Sequence, residues 1–528
     1  MTEQQNGSVM LNLSRILSLL VLCVAVSFCA RRVEGSVHEY VKARFTPWEN
    51  GYTLFGGSEG LYTASENFKG SGVANGKSFI QFETTFQRTS EAASRHDAME
   101  HSSGLVQAIM FEFHDRDKIG GSSDSGHTAL CCTPDIATDF GCNEGEVILR
   151  SSDGWPKSYS FHFKGNDTQV KTPIESAIIT KSGLYTLYFA TCDPQLKDLV
   201  MNGRTIWKNP SGYLPGRMAP LLTFYGVMSA AYILLAIAWF FQYVRFSKDI
   251  LQLQNWITVV IALGMSEMGM WYFEYANFNA TGKRPIGITT WAVTLGAVKK
   301  TISRLLILVV SMGYGVVRPT LGGLTSKVNL LGAAYFVSVE ALDVLENVGR
   351  IDDLSEKARL FVVLPVAIFD AVFILWIFTS LSKTLEKLQA RKQYAKLELY
   401  RKFTNSLAVA VVVSIIWIGY EFYFKSTDAF NQRWQGAWII SAFWIVISFV
   451  LLCVICALWA PSKNSTRYAY SEEVKEDIDD EETTSLTGVK INSFELENES
   501  SSLDKKDKKL VNTDVFSLED DTEEHKLE

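Results

Sequence analysis

The sequence predicts a membrane protein: an antiparallel β-sandwich, an α-helical seven-transmembrane bundle and a disordered acidic tail, in that order. Residues 36–215 are polar overall and contain segments with alternating apolar residues, residues 216–460 hold long apolar runs, and residues 461–528 are acidic and poor in aromatic residues. Alternation is typical of half-buried strands, runs of about 20 apolar residues are typical of spanning helices, and low hydrophobicity with high charge is typical of disorder.

The first 35 residues have the pattern of a signal peptide. The stretch from Ile16 to Ala30 is apolar, Arg15 precedes it and RRVEGS follows it. About 15 apolar residues are too few to span a bilayer comfortably, so we expect cleavage after Ala30 or Gly35. A retained signal anchor is the alternative. Cleavage would make residues 36–215 a lumenal domain.

Several segments of residues 36–215 alternate at period two and so predict strands that each have one apolar face. They are FIQFETTF at 79–86, LVQAIMFEFH at 105–114, YSFHFK at 159–164 and LYTLYFAT at 184–191. Such strands, separated by Gly and Ser clusters, indicate an antiparallel sandwich. Asn202-Gly203 predicts a hairpin turn between two further strands. The sequon at Asn166 lies in a turn-like stretch and predicts a glycan if the domain is lumenal.

Four cysteines of the same region predict two disulfides in an oxidising compartment. They are Cys131, Cys132, Cys142 and Cys192. Adjacent cysteines rarely bond to each other, so Cys131 and Cys132 each pair with one of the other two, in an order that the sequence leaves open. The histidines are scattered without the convergent spacing of a metal site, and we expect neither a metal nor another cofactor.

Seven apolar runs predict seven transmembrane helices, each near the ~20 residues that a bilayer core requires. They lie at about 218–243, 255–276, 288–317, 328–348, 359–381, 404–424 and 435–459. With a cleaved leader, seven spans make the N-terminal domain lumenal and the tail cytosolic. The loops favour this orientation, with 13 Lys and Arg on the cytosolic side and 7 on the lumenal side. Seven of the 13 lie in KTLEKLQARKQYAKLELYRK, which is expected to be a loop.

The third span carries cations in its interior. The apolar stretch 305–317 has 13 residues, about 20 Å of helix, which is too short to cross a bilayer. The span must therefore begin near residues 288–291. This places Lys299, Lys300 and Arg304 in the middle of the membrane.

Acidic residues in the other spans complete a candidate site. They are Glu267 and Glu274 in the second span, Glu340 and Asp343 in the fourth, Asp370 in the fifth and Glu421 near the lumenal end of the sixth. Charges in a bilayer are costly unless paired or hydrated, which predicts a polar cavity between the helices. The cavity would hold an anionic or zwitterionic headgroup, with the cations as phosphate partners.

Two alternatives to a headgroup site remain open. The charges could form buried salt bridges that only fix helix register, or an ion path through Glu267, Glu274 and Asp343. An enzyme is not expected, because the chain has no Gly-rich phosphate loop, no HExxH and no placed Ser, His and Asp set in the spans. Nucleic acid is not an expected partner.

Three stretches resemble one family. They are WKNPSGYLPGRMAPLLTFYGVM from Trp207, SRLLILVVSMGYGVVRPTLG from Ser303 and LWAPSKNSTRYAYS from Leu458. In this order around seven spans, they resemble the lung seven-transmembrane, or GOLD-domain seven-transmembrane (GOST), family and within it the transmembrane protein 87 branch. One departure is Ala460, which stands where the family has a basic residue. The resemblance implies a GOLD-like lumenal sandwich, a lipid-filled cavity in the bundle, and residence in Golgi, trans-Golgi network and endosome membranes.

The resemblance favours a role in membrane trafficking, either endosome-to-Golgi or secretory transport, with a phospholipid or lipidated ligand in the cavity. It also implies two alternatives: a signalling protein similar to G-protein-coupled receptors, and a pH- or voltage-sensitive cation channel. The sandwich would contact lumenal cargo. The tail, which contains EEVKEDIDDEE, would contact cytosolic sorting proteins.

Overall fold

The computed structural model describes residues 36–63, 77–98, 104–122, 128–134, 137, 141–152, 154–247, 250–314, 323–347, 356–428 and 433–461. The predicted signal peptide and all but the first residue of the predicted acidic tail lie outside these residues. Within them an antiparallel β-domain precedes a helical bundle, which confirms the predicted fold class.

The β-domain consists of strands in two large antiparallel sheets and one small one. Its strands are β1 Val37–Arg44, β2 Thr46–Trp48, β3 Gly51–Leu61, β4 Phe79–Gln87, β5 Leu105–Glu112, β6 Gly121–Ser122, β7 Thr128–Ala129, β8 Lys157–His162, β9 Gln169–Lys171, β10 Glu175–Ile178, β11 Gly183–Thr191 and β12 Val200–Lys208, with a short helix α1 at Ser90–Ala98. The first sheet has the order β1-β12-β4-β10 with β9 also on β4, the second has the order β2-β3-β11-β5-β8, and β6 pairs with β7.

Aromatic side chains from the facing sheets form the core of this sandwich. Phe82 and Phe86 of β4 meet Phe189 of β11 edge to face, with ring centroids 5.8 and 5.7 Å apart. Trp207 of β12 is fully buried beside them. Every second residue of β4 is buried, because alternate side chains of a strand point to opposite faces. The four alternating segments therefore form strands, as predicted.

The predicted hairpin at Asn202-Gly203 is wrong, because both residues lie inside β12. Gly203 has φ +140°, and a Cβ there would stand 2.3 Å from the Glu83 carbonyl oxygen of β4. The Asn202 side chain accepts a hydrogen bond from the Lys42 backbone N–H at 2.8 Å. Lys42 lies where the register of β1 shifts by one residue. The Asn-Gly pair therefore serves a β-bulge, where glycine tolerates close approach of a neighbouring strand.

Two disulfides confirm the predicted pairing rule and settle its order. Cys131 bonds to Cys192, and Cys132 bonds to Cys142. Cys192 directly follows β11. The first disulfide therefore fastens the segment around Cys131 to the end of a central strand.

The bundle contains seven long helices among the described residues. They are α2 Ala219–Arg245, α3 Gln252–Thr281, α4 Ile286–Ser311, α5 Leu324–Asn347, α6 Glu356–Ala390, α7 Tyr394–Thr427 and α8 Trp438–Leu458. Six are long and apolar enough to span a membrane by length and composition. The other is α4, which carries Lys299, Lys300 and Arg304 at its middle. The prediction of one continuous helix through these cations is confirmed.

Two predicted boundaries in the bundle are wrong. Helix α4 ends at Ser311 rather than at residue 317, because Gly313 adopts φ +85° and its N–H bonds back to the Val310 carbonyl at 2.9 Å, as in a glycine C-cap. The expected basic loop between the fifth and sixth spans is mostly helical. Only residues 391–393 separate α6 from α7, with Lys392 at φ +54°.

The sandwich rests on one end of the bundle. Trp434 lies close against Gly60 of β3 and Gly216, and its ring stands 4.9 Å from that of Tyr62. The Asn279 side chain at the end of α3 donates to the Ser211 carbonyl at 3.0 Å and accepts from the Leu214 N–H at 3.2 Å. We call the half of the bundle next to these contacts the sandwich-side half.

Candidate intramembrane polar site

The three cations of α4 form ion pairs with acids on three neighbouring helices. Successive residues of an α-helix point about 100° apart, so Lys299 and Lys300 face different partners. Each cation meets a carboxylate: Lys299 to Glu267 of α3 at 2.8 Å, Lys300 to Asp343 of α5 at 2.7 Å, and Arg304 to Asp370 of α6 at 3.1 Å. One predicted acid from each of the second, fourth and fifth spans therefore binds a cation at the middle of α4.

The pair of Lys299 and Glu267 is enclosed. Both side chains are 9% exposed. The Lys299 ammonium lies 5.1 Å from the centre of the Tyr232 ring, which adds a cation–π contact. Gly296 of α4 lets the Glu267 carboxylate approach the helix, since a Cβ there would stand 3.0 Å from its Oε1. This pair joins α2, α3 and α4 and leaves little room for a ligand.

The other two pairs are partly open. The Lys300 side chain is 49% exposed and that of Arg304 is 39% exposed. The Tyr335 hydroxyl donates to the Asp370 carboxylate at 3.2 Å and fixes that acid beside Arg304. Charges at this depth of a bundle cannot face lipid tails without a large cost. Lys300 and Arg304 are therefore expected to be in contact with water or a polar ligand.

Helices α6 and α7 bury side chains in only one half of their described length. Among the described side chains of α6, the buried ones lie between Phe373 and Leu388, and those of α7 lie between Lys396 and Leu407. Both helices are therefore closely packed only in the half remote from the sandwich. There the Thr384 and Tyr400 hydroxyls donate to the carbonyls of the last turn of α4. In the sandwich-side half, none of the described side chains of α6 and α7 is buried.

Glu340 differs from the other buried acids. It is 1% exposed, and its Oε1 accepts a hydrogen bond from the Thr294 hydroxyl at 2.8 Å. Its Oε2 has no hydrogen-bond partner among the described residues. Asp343, one turn further along α5, is paired with Lys300. Glu340 is thus a buried carboxyl group for which the described residues offer no cation of its own.

Comparison with known proteins supports the membrane fold and shows which family the bundle matches. A family model described as "GOST, seven transmembrane domain" matches residues 220–466. Transmembrane protein 87A of Xenopus tropicalis is 38% identical over 276 residues, 52% of this chain and 50% of that protein. The helical bundle is therefore a GOST seven-transmembrane domain. Transmembrane protein 87B of Homo sapiens, also 38% identical, is matched over 52% of this chain and 48% of its own length.

The matched GOST domain begins at the second residue of α2 and extends past the end of α8. The alignments to the transmembrane protein 87 relatives cover about half of each relative's length, and their similarity supports the transmembrane protein 87 branch. An uncharacterized protein of Schizosaccharomyces pombe is 25% identical over a longer stretch, 75% of this chain and 80% of that protein. The chain is thus a multi-pass membrane protein with a GOST seven-transmembrane domain.

Two of the predicted site residues lie apart from the cluster in the GOST bundle. Glu274 is completely buried and is held by Arg284 from the α3–α4 connection, and the Thr289 hydroxyl donates to it at 3.1 Å. Glu421 lies on α7 and pairs at 2.6 Å with Lys425 of the same helix. It belongs to the part of α7 that is not closely packed, and its bonded partner is not a cation of α4.

The sequence reasoning missed several residues that complete the site. They are Tyr232, Arg284, Thr289, Thr294 and Tyr335. Arg284 counts as a loop cation in the sequence, whereas in the structure it reaches Glu274. Thr289 and Thr294 could have been predicted from the sequence, because a hydroxyl group in an otherwise apolar helix is suited to donate a hydrogen bond to a neighbouring carboxylate.

Proposed function

We propose that this GOST-family protein resides in Golgi, trans-Golgi network and endosome membranes, supports membrane trafficking there, and holds a phospholipid or lipidated ligand in its bundle. The observation that carries the ligand proposal is the exposure of Lys300 and Arg304, which are 49% and 39% exposed although each is paired with an acid of the bundle. The enclosed pair of Lys299 and Glu267 has a supporting structural role.

A zwitterionic headgroup fits the charges of these two ion pairs. Its phosphate would accept hydrogen bonds from Lys300 and Arg304, which are partly exposed donors with fixed positions. Its amine would lie near Asp343 and Asp370. The acyl chains would extend along the sandwich-side halves of α6 and α7 into the bilayer. A simple anion would bind Lys300 and Arg304 but would offer no positive group to Asp343 and Asp370, whose ion pairs with these cations it would weaken.

Lipid mass spectrometry of the purified full-length protein tests this proposal. We expect a phospholipid at about one per chain in the wild type and a reduced amount in Lys300→Gln and Arg304→Gln. Lys425→Gln is the matched control, because Lys425 pairs with an acid on an exposed surface of α7. Equal lipid content in all four proteins would contradict the headgroup site.

Localisation and trafficking need a separate test. A fluorescently tagged chain should overlap Golgi and endosome markers, and its loss should slow the return of an endosomal cargo to the Golgi. The proposed contribution of the tail predicts that deletion of residues 470–528 disperses the protein from the Golgi. Unchanged Golgi residence of the truncated chain would remove the sorting role from the tail.

A cation path is the second candidate, favoured by Glu340. A buried carboxyl group with one oxygen unpartnered among the described residues is suited to transient cation or proton binding. The measurement is current across bilayers reconstituted with the purified protein. A path through this group predicts that Glu340→Gln alters the conductance, whereas Glu421→Gln, at a carboxylate paired with Lys425 of the same helix, leaves it unchanged.

A further inference from the structure

The outer face of the second sheet carries a cleft that the bundle site does not use. It has a volume of about 690 Å³ and lies over β3, β11 and β5. Tyr188 and Thr186 of β11 line it, while Leu187 and Phe189 between and beyond them point into the sandwich core. The volume is within the range of about 300–1,000 Å³ typical of small-ligand sites.

Aromatic rings form the floor and one wall of the cleft. The Tyr188 ring is stacked with those of Trp48 and Phe111, at centroid distances of 5.8 and 6.0 Å, and meets Phe55 edge to face at 5.4 Å. Trp48 is 42% exposed and Phe55 is 51% exposed. An antiparallel sheet ordinarily presents polar residues on its outer face. Large exposed rings inside a concavity instead indicate a binding surface.

Polar groups surround these rings with balanced charge. Ser58 and Thr186 share a hydrogen bond of 2.9 Å at one end of the cleft. The other polar lining residues include two acids and two arginines, namely Glu49, Asp117, Arg116 and Arg150. Because the opposite charges are equal in number, the cleft has no net field that would favour a strongly anionic or cationic ligand.

The two strands at the centre of the cleft, β11 and β5, have no free edge for main-chain recognition of a peptide. Strands β11 and β5 each have a paired neighbour on both sides, and β2 pairs with β3 over Gly51–Thr53, so these backbone groups are used in the sheet. A peptide that binds by strand addition needs a free sheet edge. A ligand of this cleft must be recognised by ring faces together with side-chain hydroxyl, carboxylate and guanidinium groups.

We propose that this cleft binds a neutral oligosaccharide. A pyranose ring has an apolar C–H face that packs on a flat aromatic ring such as Trp48 or Tyr188. Its hydroxyl groups donate to carboxylates such as Asp117 and accept from hydroxyl and guanidinium groups. The cleft supplies both kinds of contact within the space of a few sugar rings.

The position of the cleft suits a glycan carried by another molecule. Gly60 of β3 lies against Trp434 of the bundle. Gly51, at the other end of the same strand, is nine residues away, or about 30 Å at about 3.3 Å per residue. Trp48 pairs with Gly51, so this end of the cleft is remote from the membrane helices. The two disulfides are typical of the oxidising compartments that glycoproteins occupy.

Binding of defined oligosaccharides to the purified full-length protein tests this proposal. The probe is a panel of reducing-end-labelled neutral N-glycans, high-mannose and asialo complex, measured by fluorescence anisotropy. We expect at least one glycan to bind, and Trp48→Ala and Phe55→Ala each to weaken its Kd by about tenfold, equivalent to about 1.4 kcal/mol. Both side chains are half-exposed, so neither substitution should prevent folding, as checked by the melting temperature.

Ile178→Ala is the matched control. Ile178 is an exposed apolar residue of β10 in the other sheet, 46% exposed. Its substitution should leave the Kd unchanged. The proposal is overturned if no glycan of the panel binds. It is also overturned if the Trp48→Ala and Phe55→Ala variants bind the glycans as well as the wild type does.

Discussion

Replacing Lys299 by methionine should destabilise the bundle more than any loss of a surface charge. The substitution keeps the length of the side chain but removes the ammonium that stands 2.8 Å from Glu267. The Glu267 carboxylate is then left 9% exposed with no replacement cation in contact. Removing one member of a buried pair typically costs about 3–5 kcal/mol, because the remaining charge is desolvated without compensation.

The expected shift can be compared with that of an exposed pair. A loss of about 3–5 kcal/mol in a domain of this size lowers the melting temperature by roughly 10 °C. Lys425→Met breaks the pair with Glu421, in which Lys425 is 63% exposed. Exposed pairs of this spacing contribute about 0.3–0.5 kcal/mol, so this control should shift the melting temperature by about 1 °C.

The assay is thermal unfolding of the purified full-length protein in one detergent, followed by intrinsic fluorescence. Glu267→Gln combined with Lys299→Met removes both charges and should recover part of the loss, because neither partner is then left as a buried ion. Equal melting temperatures for Lys299→Met and Lys425→Met would refute the enclosed pair. So would a double variant that is less stable than the two single losses added together.

Three further predictions concern the sandwich and its junction. Burial raises the pKa of the Glu59 carboxyl above its ordinary value of 4.5, so the free energy of unfolding falls as pH rises from about 4.5 through the raised pKa; Glu59→Gln should remove this fall in a series of melting temperatures against pH. Asn166→Gln should abolish an endoglycosidase-sensitive gel shift, whereas Asn279→Gln, in the second sequon Asn279-Ala280-Thr281, should not, because the Asn279 amide is bonded within the junction; a shift lost only with Asn279 would contradict this. Gly203→Ala should lower the melting temperature, because its Cβ would stand 2.3 Å from the Glu83 carbonyl oxygen; an unchanged value would show that β12 adjusts.

The sequence predicts much of the fold because its periodicities are strong. Strand β4 alternates without interruption, and α4 cannot cross a bilayer unless it includes Lys299, Lys300 and Arg304. The ends of elements are less predictable, since they depend on single backbone conformations. Gly313 at φ +85° ends α4 early, and the same left-handed freedom at Gly203 serves a bulge rather than a turn.

The members of the polar site are also partly predictable. Charged residues inside an apolar span can be recognised in the sequence as members of a polar site, because an unpaired charge in the bilayer is too costly to be common. Their partners depend on helix rotation and crossing, which a single sequence does not contain. Arg284, for example, follows α3 in the sequence and turns back to bind Glu274. Glu421 has the same residue type as the clustered acids but is satisfied by Lys425 one turn away.

The distinction between Lys299 and its neighbour Lys300 emerges only from the packing. Adjacent residues on one helix differ by about 100° in direction. The Lys299 side chain lies against Tyr232 and Glu267 and is 9% exposed, whereas the Lys300 side chain is 49% exposed. The sequence therefore suggests one cluster of cations, whereas the structure divides it into an enclosed pair and an open site.

An electron cryomicroscopy map of the full-length protein, purified in a mild detergent with its native lipids, tests the central claim most directly. We predict headgroup density within hydrogen-bond distance of Lys300 and Arg304, continuous with two acyl chains between α6 and α7. A map in which that space contains only solvent, with both ion pairs intact, would contradict a lipid site and leave the charges a structural role.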